Sequence, residues 1–207
     1  QNQLKRVKPK QALKHPKWKM GKKISIDSST LMNKIFEVSE AQKLFNLPQN
    51  KIDIIIHPNS LVHAIIELKN GFKKLIYHET SMKIPLANAI FDGKLDISKI
   101  YSNKKKIEFE NLIFRKVDKK IFPAIKIRDK MHQHYSTPII VNASNEVLVD
   151  QFLGKKIRFL DIIKIIMVIL KDVNYRKYAI KKPKNIKQIY QIDRWARETT
   201  LKKLKFL

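Results

Sequence analysis

The chain has 207 residues, with 44 Lys and Arg against 18 Asp and Glu, a formal net charge of +26 and no cysteine. That length supports a buried core, and a hydrophobic fraction of 43% excludes a chain disordered throughout. Without cysteine, disulfides and thiolate metal sites are excluded, and a reducing, cytoplasmic setting is expected.

The charge invites a nucleic-acid reading, but the sequence argues against that as the main role. Lysine far outnumbers arginine, the lysines are scattered, and no groove- or base-reading motif accompanies them. Abundant Lys, Ile and Asn is what an AT-rich codon bias produces. A basic surface still attracts small anionic substrates. The longest apolar run, residues 162–170, is broken by Lys164 and falls well short of the roughly 20 residues of a membrane span. The chain opens on Gln1 in a Lys-rich, Pro-containing stretch without a signal-peptide core, which reads as a beginning in mid-protein.

Residues 1–14 read as a connector. Residues 15–21, HPKWKMG, have the aromatic, Met and Gly content of a loop that closes over something. From Ser28, apolar Leu31, Ile35 and Val38 recur at helical spacing as far as Phe45, with Ser28 or Ser29 as cap and Pro48 just beyond. Ile52 to Ile56 is a short β-branched strand. Val62 to Leu68 and Phe72 to Tyr77 flank Lys69-Asn70-Gly71, a hairpin signal. A short segment, Met82 to Phe91, ends before Asp92-Gly93, and the charged stretch 92–117 reads as a linker.

Beyond residue 118 the pattern is helical. Pro123 suits the first position of a helix running to about Gln133. Asn142 to Phe152, closed by Gly154, is a second helix. Phe159 to Lys171, apolar nearly all round, is a third and buried, and Ile189 to about Leu204 is a fourth. The expected fold is α+β: a small mixed sheet with helices in a substrate-binding region over 1–91, a linker over 92–117, and a C-terminal helical bundle over 118–207.

The chemistry concentrates in Ser28 to Glu37, SSTLMNKIFE. On one continuous helix, Thr30, Asn33, Lys34 and Glu37 share a face opposite Leu31, Ile35 and Val38. Main-chain N–H groups at a Ser-rich helix start bind phosphate, with Ser28, Asn33 and Lys34 as further donors. Glu37 is a hard oxygen ligand suited to Mg²⁺ or Mn²⁺. A solvated amphipathic helix with a Lys34–Glu37 pair accounts for the same residues. His57 and His63, six apart with no thiolate or second carboxylate near in sequence, read as structural.

The run HPKWKMGKKISIDSSTLMNKIFE, from His15 to Glu37, resembles the 1-deoxy-D-xylulose 5-phosphate reductoisomerase family, whose pattern is H-P-x-W-x-M-G-x-K-I-x-x-D-S-A-T-x-x-N-K-x-x-E. The likeness continues through IHPNSLVH at 56–63, Met82 with Pro85, and NASNE at 142–146, essentially the whole chain. The resemblance implies an NADPH-dependent oxidoreductase that rearranges and reduces a small sugar phosphate with a divalent metal, giving 2-C-methyl-D-erythritol 4-phosphate. It implies that His15, Ser28, Asn33 and Lys34 hold substrate and that Glu37 touches substrate and ligates the metal, so Glu37 and Lys34 are the catalytic candidates. Trp18 and Met20 belong to a lid, Gly21 lies against NADPH, and Met82 packs near the nicotinamide.

Where the resemblance expects Gly and Ala, this chain has Ile35 and Ser29, and HETS stands before Met82 in place of Gly-Glu-Pro-Asp. The family's dinucleotide-binding half and its Asp-Ser-Glu metal run are not among these 207 residues, and Gly numbers only 4. Partners implied are therefore a missing N-terminal half and a second copy of the chain in a homodimer, and the chain alone is expected to be inactive. An inactive truncated remnant and a basic nucleic-acid-binding protein are the other two readings.

Overall fold

The computed structural model describes residues 4–14, 17, 18, 20–101 and 112–205. In chain order the elements are α1 (Pro9–Ala12), α2 (Lys22–Thr30), α3 (Met32–Phe45), β1 (Ile55–Ile56), β2 (Val62–Glu67), β3 (Lys73–Tyr77), α4 (Lys83–Phe91), β4 (Arg115–Lys116), α5 (Ile125–Arg128), α6 (Thr137–Leu153), α7 (Phe159–Ile169), α8 (Tyr175–Ala179) and α9 (Ile186–Leu204). The α+β class holds. The strands pair as two separate antiparallel ladders, β1 with β4 and β2 with β3, where one mixed sheet was expected.

The chain forms two compact units. One comprises Gln1–His15, Met20–Ile54 and Val117–Leu207; the other comprises Pro16–Lys19 and Ile55–Lys116. This partition differs from the expected 1–91, 92–117 and 118–207, because α2 and α3 share a core with the C-terminal helices. Ile26, Met32 and Ile35 lie in the same buried cluster as Ile140, Leu148, Phe152, Ile162 and Ile166. Of the expected linker, residues 102–111 lie outside the described residues, and Arg115 and Lys116 pair with Ile56 and Ile55.

In the helical unit, α7 buries Phe159, Ile162, Ile163, Ile165, Ile166 and Ile169, as its nearly all-round apolar sequence requires. Its start is fixed by the Asp161 carboxylate, which accepts the Arg158 N–H at 3.0 Å. The Asn185 carboxamide oxygen caps α9 by accepting the Gln188 N–H at 3.0 Å. Helix α6 begins at Thr137, five residues before the expected Asn142, because Pro138 fits the first turn, where its lack of an N–H costs nothing. Helix α5 is only four residues long, so the helix expected to run to Gln133 is replaced by turns such as Met131 N–H to Ile127 C=O at 3.0 Å. Helix α9 starts three residues earlier than expected, and the short α8 was not foreseen.

In the smaller unit, the expected hairpin forms. Glu67 faces Lys73 across a turn in which Gly71 takes φ +88°, a conformation L side chains rarely adopt. The register slips between Val62 and Ala64, a bulge at His63.

Candidate functional site

The single helix expected from Ser28 to Phe45 is two. Leu31 sits between α2 and α3 in the left-handed region, at φ 70° and ψ 3°. Such a conformation costs a non-glycine residue about 1–2 kcal/mol, and burial of the Leu31 side chain offsets it. The hydroxyls before the break favour it. Ser29 Oγ donates to the Ile26 C=O at 2.8 Å and Thr30 Oγ1 to the same carbonyl at 3.1 Å, bonds that compete with the helical ladder. Ser28 therefore lies in the last turn of α2, its C=O accepting the Leu31 N–H at 3.2 Å, and does not cap the helix that carries Asn33. Thr30 is buried and turned back on α2, so it leaves the expected polar face.

The break gives Asn33 and Lys34 the second and third positions of the 14-residue α3. Their main-chain N–H groups fall in the first turn, which has no intrahelical acceptor. The Asn33 carboxamide donates to Glu37 Oε1 at 2.5 Å and the Lys34 ammonium to Glu37 Oε2 at 2.6 Å. Asn33, Lys34 and Glu37 thus meet as a half-exposed triad with both carboxylate oxygens engaged. Ile35, beside Lys34, points the other way and is fully buried, so it fills core without interrupting α3.

Behind Ser28, Asp27 is nearly fully buried. It accepts the Asn145 Nδ2–H at 2.7 Å and pairs with Lys23 at 2.8 Å. Glu146, next in the chain to Asn145, shares Arg197 with Asp193, which raises the Arg197 pKa above its usual value by hydrogen bonding and locks α6 to α9. Sequence reading missed both links. Their only trace was that IDSST and NASNE each belong to the resemblance.

His15 lies outside the described residues. Met20 is half-buried, and Gly21 is the residue at the start of α2, with an open side where a Cβ would meet nothing within 4 Å. In the smaller unit Trp18 and Met82 come together. With Lys17, Thr80 and Ser81 they line a recess of about 390 Å³. The Trp18 ring meets the His63 ring edge-on at 5.8 Å, and His63 stacks on His78 at 3.7 Å. His63 Nε2–H donates to the His78 C=O at 3.1 Å, and His57 Nδ1–H to the Ile113 C=O at 2.9 Å, main-chain partners 15 and 56 positions away.

Among the described residues no three His, Cys, Asp or Glu side chains gather as a metal site. Glu37 supplies one oxygen-donor side chain, and that is too few to hold a divalent ion. Gly21 offers room for a flat group, yet the chain has no Gly-rich turn to cradle a pyrophosphate. These residues alone fit neither a metal nor a dinucleotide.

Residues 78–199 match the DXP reductoisomerase C-terminal domain, and residues 1–45 match the 1-deoxy-D-xylulose 5-phosphate reductoisomerase C-terminal domain. The chain belongs to the DXP reductoisomerase C-terminal domain family. Among relatives of that name, the protein from Pelagibacter ubique (strain HTCC1062) is 41% identical over 194 residues, covering 90% of this chain and 48% of its own length. That from Francisella tularensis subsp. holarctica (strain FTNF002-00 / FTA) is 37% identical over 202 residues, covering 95% and 50%. A crystal structure of DOX-P reductoisomerase in complex with NADPH, fosmidomycin and magnesium superposes with a TM-score of 0.90 at 30% identity, covering 99% of this chain and 51% of that one. The 1-deoxy-D-xylulose 5-phosphate reductoisomerase from Zymomonas mobilis in complex with NADPH gives 0.85 at 29%, covering 100% and 52%. The chain spans about half the length of the reductoisomerases it matches.

Proposed function

We propose that this chain supplies the substrate-binding and C-terminal part of a 1-deoxy-D-xylulose 5-phosphate reductoisomerase, an NADPH- and divalent-metal-dependent enzyme acting in the cytoplasm. The observation that carries the reading is the start of α3, where the first-turn main-chain N–H groups of Asn33 and Lys34, the Asn33 carboxamide and the Lys34 ammonium lie together in a family whose substrate is a sugar phosphate.

A phosphate at that helix start gains the N–H groups and the favourable end of the helix dipole. Ser28, in the last turn of α2, is a further donor. Without substrate, Glu37 is the anion that holds Asn33 and Lys34. A bound phosphate competes for both donors and frees the Glu37 oxygens. Trp18 and Met82 line one recess, and the resemblance gives Trp18, with Met20 and His15, the role of a lid loop over the substrate and gives Gly21 and Met82 the role of cofactor contacts. NADPH supplies hydride and Mg²⁺ or Mn²⁺ supplies Lewis acidity when bound. This chain's own side chains supply orientation of the phosphate, away from the reacting carbons.

No described helix is long and apolar enough to cross a membrane. The β2–β3 hairpin exposes Ile66, Phe72, Leu75 and Ile76, a surface suited to a second copy of the enzyme. Sedimentation of the full-length enzyme as a monomer at high concentration counts against that homodimer.

The test is to join the chain to the N-terminal half of a reductoisomerase relative and follow NADPH oxidation with 1-deoxy-D-xylulose 5-phosphate. Turnover is expected to need the joined half and a divalent metal. Glu37→Gln is expected to cost at least about 100-fold in rate. Turnover by the 207-residue chain unaided, or indifference to Glu37→Gln, overturns the assignment.

A further inference from the structure

Two segments 118 positions apart meet inside the helical unit. Asp27 keeps only 3% of its side-chain surface in contact with solvent, and its two oxygens are divided between Asn145 and Lys23. Asn145 is fully buried on α6. The Lys23 ammonium also lies 5.7 Å from the centre of the Phe36 ring on α3. One carboxylate therefore ties α2 to α6 and, through Lys23, to α3. A buried carboxylate that loses a partner is left with an uncompensated desolvation penalty, so this arrangement has little freedom to drift.

The position of the tie matters more than its strength. Asp27 immediately precedes Ser28 and stands four residues before Leu31, whose left-handed turn sets the direction of α3. Apolar contacts between α2 and α6 are non-directional and tolerate rotation of α2 about its axis. A hydrogen bond to one carboxylate oxygen does not, because its strength falls steeply with angle. We propose that Asn145 and Asp27 are positioning residues for the phosphate site: they fix the rotation of α2, and hence the spacing between Ser28 and the donors at the start of α3. Neither residue touches the ligand. The inference rests on the phosphate reading of Asn33 and Lys34.

The double variant Asp27→Leu with Asn145→Leu tests it. Replacing a buried polar pair by apolar residues of similar size is commonly neutral for folding, so the helices keep their core while the directional bond is gone. Inorganic phosphate is titrated into the isotope-labelled chain while the amide resonances of Met32, Asn33 and Lys34 are followed, with urea unfolding as the control. In the parent chain these amides are expected to shift saturably. In the folded double variant the phosphate Kd is expected to rise at least about 10-fold. In the enzyme joined to a relative's N-terminal half, the same variant raises KM while kcat largely holds, a split that loss of general stability does not produce.

If the double variant does not fold, Asn145→Ser decides. It withdraws the amide but leaves Asp27 with Lys23 and room for a water. Phosphate affinity unchanged in whichever variant is folded overturns the positioning role alone. No saturable shift in the parent chain, with none in Lys34→Gln either, overturns the phosphate reading and this inference with it.

Discussion

Ile35 stands next to Lys34 where the resemblance expects glycine, and it is fully buried. Its side chain is therefore part of the core under α3, and Ile35→Ala is expected to destabilise the chain by about 2–5 kcal/mol, read as a lower urea midpoint at constant slope. A loss under 1 kcal/mol would mean that the core collapses around the site. His132 acts in the opposite sense at low pH. Burial first, and the Lys43 charge second, hold its imidazole below the ordinary value of 6.5, and its Nε2 has no hydrogen-bond partner. The unfolded chain thus binds a proton before the folded one does, so stability is full above the unfolded value and is lost as pH falls below about 6.5. Replacing His132 by Gln is expected to flatten the unfolding free energy between pH 7 and 5; an unchanged slope removes His132 as its source.

At the level of elements, legibility tracked how local the deciding interaction was. The hairpin was readable because Asn70-Gly71 prescribes the turn, and α7 because eleven residues of nearly continuous apolar sequence admit little but a buried helix. The polar residues Asn33, Lys34 and Glu37 were readable because spacing of three and four on one helix places them together wherever α3 begins. The break at Leu31 was not readable. No Gly or Pro marks it, the apolar period runs through it, and it depends on hydroxyl back-bonding and on burial against distant helices. Nor was the Asp27–Asn145 bond, since nothing in either segment specifies the other. The break also yields a prediction in which two effects compete. Leu31→Gly relieves about 1–2 kcal/mol of backbone strain but removes a buried leucine whose truncation costs about 2–5 kcal/mol, so the variant is expected to be less stable overall. A stabilised Leu31→Gly chain would mean that strain, and not burial, dominates the turn.

At the scale of the whole molecule, burial is unevenly divided. The helical unit owns the core cluster, from Ala12 to Ala196, whereas in the smaller unit Ala87 is the one fully buried apolar residue among those described. There Phe72, Leu75 and Ile76 on the hairpin, Met82 just before α4, and Leu86, Ile90 and Phe91 on α4 stay exposed. Because the hydrophobic term scales with apolar area removed from water, the two units differ in their own stability even though both have regular backbone hydrogen bonds. Local opening free energies follow that difference, from near zero for weakly packed segments to the global value for core helices. In hydrogen exchange on the 207-residue chain, amides of β2 and β3 are therefore expected to exchange at least about 100-fold faster than those of α6 and α7. The slow set should include Ile140, Val141, Leu148 and Val149, whose side chains are essentially fully buried. If the proposed homodimer forms, joining the chain to a relative's N-terminal half and pairing two such copies adds partners for the exposed apolar residues. Protection of the hairpin and α4 should then rise while that of α6 and α7 stays as it was. Equal protection in both units of the isolated chain would show that the hairpin is held by something other than apolar burial, and would remove the reason to assign its exposed face to a second copy.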